Sequence, residues 1–226
     1  MLKLLRSNIV FIILSLMLLL ALGLALMYIP KGDLHWLLCN RHTPARDIFF
    51  RYYTHVAEWF PYVLCVLLLL FGRVGNGLFA SAAMVFSSLT TQICKHLINA
   101  PRPVTWFAEN IPDIRLPLVE GVDMNYWHSF PSGHTTSFFA LAFVASILIT
   151  KRLTAHGLTG VAGMLQALLF LLAALGGYSR IYLCQHFALD VFAGVMVGLL
   201  ITCICYAIFS RFEDKKWYNY RLLTKK

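Results

Sequence analysis

Residues 186–210 read HFALDVFAGVMVGLLITCICYAIFS. From Val191 to Ser210 there is no Asp, Glu, Lys or Arg. A helix crossing the hydrocarbon core needs roughly 20 mostly apolar residues, so this run has the length of one span. Its N-terminal edge carries Asp190, with His186 four residues earlier. One stretch therefore gives both a membrane helix and an ionisable pair at its mouth.

The same test applied outward finds charge-free runs at 7–30, 59–72, 74–94, 124–150 and 153–179. These predict six spans, near 8–29, 56–72, 76–98, 132–150, 158–178 and 187–209. The second reaches spanning length only if it begins near His55, and Pro61 lies close to its start. Lys3 and Arg6 precede the first run as in a signal peptide, but that run is too long for one and no small-residue cleavage pattern follows. It is read as a retained span. Basic and aromatic residues alternate over 31–55, which predicts an amphipathic helix on the interface. The expected fold class is all-α. Residues 1–226 form one membrane-embedded domain, a six-helix bundle with an interfacial helix after the first span.

Composition agrees. Of 226 residues, 59% are hydrophobic and 13% are charged. That charge content is about half the share of a soluble domain, which excludes a disordered chain and disfavours a soluble enzyme. Lys and Arg total 19 against 10 acids, a net charge of +9. A basic excess suits nucleic acid or an anionic membrane surface, and the hydrophobicity decides for the membrane. With the N-terminus inside, eleven basic residues fall on the inner side, including Lys3, Arg6, Lys225 and Lys226. Eight fall outside, including Lys95, Arg102 and Arg180. The positive-inside bias sharpens once those three have a chemical reason to be outside. Both termini are then cytoplasmic. The compact size suggests a bacterial inner membrane with the outer loops in the periplasm.

The six cysteines include no Cys-x2-Cys pair, so a zinc site is not expected. Cys39 and Cys184 both fall near the outer face, and a disulfide between them stays open. Glu109, Asp113, Glu120 and Asp123 are spread over the 104–130 loop and form no metal cluster.

Three polar clusters lie on the outer face. In the first, Lys95 and Arg102 are seven residues apart, about two helical turns, and are read as sharing a face. Pro101 and Pro103 stop the helix and hold Arg102 in a stiff turn. Two fixed cations suit a phosphate; interfacial snorkelling is the plainer reading of the pair alone. In the second, Ser132 and Gly133 open an apolar helix. Their outward N–H groups and the helix dipole make an anion site, with His134 in the first turn. Alone, this is equally a plain helix cap. In the third, Arg180 precedes His186 and Asp190, which at four apart share a helix face. Asp190 is read as the only acidic residue at the edge of any span, where a charge is expensive and usually functional. Six spans put all three clusters on one face of the membrane, and their joint occurrence is far more specific than any part.

The full pattern is Lys-x6-Arg-Pro, Pro-Ser-Gly-His and Ser-Arg-x5-His-x3-Asp, running from Lys95 to Asp190. It resembles the type 2 phosphatidate phosphatase superfamily, the lipid phosphate phosphatases, whose motif soluble acid phosphatases and vanadium haloperoxidases share. The resemblance implies a motif core at 95–190 and a hydrolase acting on a lipid phosphate or diphosphate, with no cofactor and no metal. It implies that His186 attacks phosphorus and forms a phosphohistidine, with Asp190 orienting it. His134 is the implied acid and then base. Lys95, Arg102, Arg180, Ser132 and Gly133 are the implied phosphate holders. Candidate substrates are a polyprenyl diphosphate, phosphatidate, phosphatidylglycerol phosphate or a lipid A phosphate. The expected partners are that lipid and the bilayer, not nucleic acid. A lipid phosphotransferase with the same intermediate, or a flippase without hydrolysis, are the alternatives.

Overall fold

The computed structural model describes residues 2–223. Lys225, Lys226 and the side chain of Lys3 lie outside the described residues. The described residues are helical with no strand. Six segments are long and apolar enough to cross a membrane: Ile9–Tyr28, Pro44–Phe71, Val74–Asn110, Gly133–Ala155, Thr159–Tyr182 and Ala188–Phe212.

In chain order the helices are α1 (Leu2–Ser7), α2 (Ile9–Tyr28), α3 (Lys31–Cys39), α4 (Pro44–Tyr53), α5 (Val56–Phe71), α6 (Val74–Ile98), α7 (Pro103–Asn110), α8 (Gly133–Ala155), α9 (Thr159–Tyr182), α10 (Ala188–Phe209) and α11 (Lys216–Asn219). The six expected spans are all present within a few residues.

The segment after the first span departs from the expected single helix. It folds as two helices, α3 and α4, because residues 40–43 break the pattern. Thr43 caps α4 by accepting from the Arg46 N–H, and Pro44 takes the first-turn position whose N–H has no partner anyway. α3 does not simply rest on the surface, since Leu34, His35 and Cys39 are buried against the bundle. α4 continues almost directly into α5.

Two details set the site end of the bundle. In α10, Gly194 and Gly198 lie one turn apart on the face toward α8. A Cβ at Gly194 would stand 2.8 Å from the Ser132 carbonyl oxygen, and one at Gly198 would stand 2.8 Å from that of Thr136. Only glycine lets the two backbones approach this closely, as small residues do between membrane helices. The approach lets the Ser132 N–H donate to the Asp190 carbonyl oxygen at 3.0 Å. The first turns of α8 and α10 are thereby held side by side.

The opposite end is tied by other contacts. The Gln166 side chain accepts from the N–H groups of Val10 and Phe11 at the start of α2 and donates to Thr150. Lys151 pairs with Glu213, and Tyr218 bonds Asn76. The first and last described helices therefore sit at the end of the bundle away from Ser132 and Asp190. Between the ends, Phe11 stacks on Phe143 at 5.2 Å within a core that includes Phe79, Phe139 and Phe170. Outward-facing residues such as Leu20 and Met27 are exposed, as lipid-facing positions are.

Candidate active site

The turn between α9 and α10 carries the centre of the site. α9 runs through Arg180 to Tyr182, so Arg180 stands in its last turn rather than in a loop. Cys184 adopts a positive φ of 52°, which reverses the chain. The N–H groups of Gln185 and His186 then both donate to the Arg180 carbonyl oxygen, at 3.0 and 3.1 Å. His186 is fixed from its backbone outward.

The expected helical pairing of His186 with Asp190 does not hold. α10 begins only at Ala188, with Phe187 as its N-cap, so His186 precedes the helix. The two groups meet because Asp190 folds back over the cap. Its Oδ2 accepts from the Phe187 N–H at 2.9 Å and from the Ser129 hydroxyl at 2.5 Å. His186 Nδ1 lies 3.5 Å from the same oxygen, an ion-pair separation without a formed hydrogen bond. Burial of His186, at 1% exposure, outweighs the nearby carboxylate and lowers its pKa to about 3. The imidazole is therefore neutral at ordinary pH.

The cations surround this pair. Arg180 is buried and donates through Nη1 to the Thr54 hydroxyl at 2.5 Å, while its Nε is buried with no hydrogen-bond partner. Arg102 is buried too. Its Nη1 donates to Gln185 Oε1 at 2.7 Å and its Nε to the Trp127 carbonyl oxygen at 3.0 Å. Lys95 is half-buried, and its Nζ lies 3.9 Å from where a Cβ would stand on Gly133. Lys95 and Arg102 do not share a helix face, however. α6 ends at Ile98, where Asn99 turns left-handed with φ 41°, and Arg102 is the N-cap of α7. The two prolines hold Arg102 in its turn as expected, and the turn brings the guanidinium back to the site.

α8 supplies the remaining parts. Ser132 is the N-cap, accepting from the Thr135 N–H at 3.4 Å, but its own N–H does not point outward as expected, because it donates to the Asp190 carbonyl oxygen. His134 stands in the first turn, within electrostatic reach of Arg180, His186, Lys95 and Arg102. All eight residues expected at the site are therefore gathered at one end of the bundle.

Three further residues belong to it that the sequence reading missed. Glu58, in the first turn of α5, accepts from His134 Nε2 at 3.0 Å and holds His55 Nδ1 at 2.8 Å through its other oxygen. Asp190 is thus not alone as an acid at the edge of a span. The signal was present, since Glu58 sits inside the predicted second span. Gln185 locks Arg102, and Ser129 locks Asp190; neither residue type stands out in a sequence. The 104–130 loop is a support. Carbonyl oxygens of Tyr126 and Trp127 hold Arg102, and Trp106 packs on Phe187 at 5.7 Å. His128 bonds the Lys95 carbonyl oxygen at 3.1 Å.

A family model described as the PAP2 superfamily matches residues 76–214. The chain belongs to that family. The crystal structure of Aquifex aeolicus LpxE is similar at 29% identity and a TM-score of 0.60, over 77% of this chain and 93% of that one. The crystal structure of a transmembrane PAP2-type phosphatidylglycerolphosphate phosphatase from Bacillus subtilis shares the fold at 19% identity and a TM-score of 0.56, over 93% of this chain and 99% of that one. Lipid phosphate phosphatase 1 of Arabidopsis thaliana is 34% identical over 96 residues, 41% of this chain and 29% of that protein. The match thus spans less than a third of that relative's length.

Proposed function

We propose that this protein hydrolyses the phosphate or diphosphate monoester of a membrane lipid through a phosphohistidine on His186. The observation that carries the reading is a buried imidazole, backed by Asp190 and ringed by Lys95, Arg102 and Arg180 beside a helix N-terminus. A neutral nucleophile facing fixed cations and backbone donors suits attack on an anionic phosphoryl group.

Asp190 faces Nδ1, which leaves Nε2 as the attacking atom. A bond forms from Nε2 to phosphorus while the bond from phosphorus to the leaving oxygen breaks. His134 gives that oxygen its proton and then takes one from water. The water oxygen attacks phosphorus, the P–N bond breaks, and phosphate leaves with His186 restored. Asp190 stabilises the positive charge that His186 carries in between. The three cations, with the Gly133 N–H at the start of α8, hold the equatorial oxygens, while the Ser132 N–H is spent on the Asp190 carbonyl oxygen; the step needs no metal.

A lipid substrate is supported by the groove beside the site. A cavity of about 410 Å³ between α5, α8 and α9 is lined by apolar side chains, among them Tyr53, Val56, Phe60, Leu64, Phe138 and Leu148. Val56 and Phe60 flank Glu58, and Phe138 is one turn below His134. A head group at the site can therefore leave its hydrocarbon chain in the groove. The basic-residue bias supports a site on the outer, periplasmic face of an inner membrane, with both termini cytoplasmic. Residues 1–226 act as one domain.

The test is phosphate release by purified protein from a panel of lipid phosphates and diphosphates. We expect release from at least one, no requirement for added Mg²⁺, and loss of about 10⁴-fold or more in His186→Ala. Normal turnover by folded His186→Ala, or strict dependence on Mg²⁺, overturns the reading. Phosphate found on an added acceptor lipid would identify a transferase instead.

A further inference from the structure

Where α3 meets the turn that carries His186 lies a second cluster. His35 and Cys39 are four apart on α3 and share its buried face. Cys184 meets them from the α9–α10 turn. One nitrogen of His35 and the two sulfurs all lie within 4.8 Å of one another. His35 is 1% exposed and both cysteines 0%. Neither nitrogen of His35 has a hydrogen-bond partner, and its ring is otherwise enclosed by Phe107 and Phe187. An imidazole buried with both nitrogens unpaired is rare, and something must recompense it.

We propose that His35, Cys39 and Cys184 bind a thiophilic divalent cation, zinc by preference. Imidazole and thiolate are the ligands zinc takes, at about 2.0–2.3 Å. Gathering donors that are at most 4.8 Å apart onto one ion calls for side-chain shifts of about 1 Å. On binding, each thiol releases its proton to solvent. Two thiolates then balance the charge of the ion, and His35 stays neutral, so the complex adds no net charge to a buried place. A disulfide between Cys39 and Cys184 would consume both thiols and leave His35 unpaired; the ion accounts for all three side chains. The ligand spacing, His-x3-Cys on a helix with a distant third, is invisible to a search for paired cysteines.

The site is structural. It pins α3 to the turn two residues before His186 and touches no phosphate ligand. Metal content reads it independently of hydrolysis.

The experiment uses full-length protein in detergent, without a histidine tag or chelator, loaded with Zn²⁺ or Co²⁺ and analysed by elemental mass spectrometry. We expect one ion per chain, thiolate-to-cobalt charge-transfer absorption, and a melting temperature several degrees higher than that of the stripped protein. Cys39→Ser, Cys184→Ser and His35→Leu should each lose the ion, while Cys203→Ser keeps it. Should those variants fail to fold, the unaltered protein decides through its cobalt spectrum, since thiolate-to-cobalt charge transfer reports sulfur ligation without any substitution. Absence of stoichiometric metal after loading overturns the proposal, whether the thiols are found free or joined as a disulfide two mass units lighter. Bound cobalt without thiolate charge-transfer absorption overturns it equally.

Discussion

The site holds two histidine–carboxylate pairs built in opposite ways. His186 and Asp190 are sealed, with side-chain exposures of 1% and 5%, and stand 3.5 Å apart. His134 and Glu58 are open, at 24% and 48%, yet stand closer, at 3.0 Å. In the sealed pair the carboxylate spends itself on the Ser129 hydroxyl and the Phe187 N–H. It holds the turn first and the imidazole second, and burial keeps His186 neutral. In the open pair the carboxylate reaches the imidazole directly and solvent reaches both. The contrast suits the proposed division of labour between a nucleophile, which needs a fixed lone pair, and an acid–base group, which must exchange protons with water.

Substitutions can break or sharpen that contrast. Short of removing His186 itself, the largest effect is expected from Asp190→Asn, which should lower kcat by about 10³-fold or more because it removes both the orientation and the charge behind His186. It should also lower the melting temperature, since two hydrogen bonds that shape the cap are altered. His134→Ala should cost about 10²–10³-fold in kcat, within the usual worth of general acid–base catalysis. Leaving-group dependence provides the check, because substrates whose leaving oxygen needs no proton should be spared most. Glu58→Gln should cost about 10-fold in kcat with KM little changed, as for a partner that orients a reacting side chain. It should also displace a limb of the pH–rate profile. Equal losses in Asp190→Asn and Glu58→Gln would show that the two pairs work alike and would end the distinction. His55→Ala should be smallest, a factor of about two to five, because its pair with Glu58 is exposed and such pairs contribute little.

Much of this was legible in the sequence. The six spans followed from runs without charge, because a bilayer penalises every buried ion and so writes its thickness into the chain. The eight motif residues followed from their order. What failed was geometry at the ends of helices. Spacing suggested that Lys95 with Arg102, and His186 with Asp190, each shared a helix. In fact Asn99 ends one helix before Arg102, and Phe187 starts the other after His186. Helix ends depend on capping bonds from distant residues, such as Ser129 on Asp190, and a one-dimensional pattern holds no record of them.

Glu58 marks the same limit from another side. The criterion that singled out Asp190, an acid at the mouth of an apolar helix, applies equally to Glu58. Its partner is 76 residues away on α8, so no local spacing joins them. By itself the sequence determined that the chain crosses a membrane six times and carries one face rich in cations and histidines, since both follow from residue type and order. Only the tertiary structure decided which histidine is sealed and which is open, and which carboxylate serves each. It alone also set His35 against two thiols. Burial and pairing arise where separate helices close on one another, and that closure depends on features such as the glycine face of α10 rather than on any neighbour along the chain.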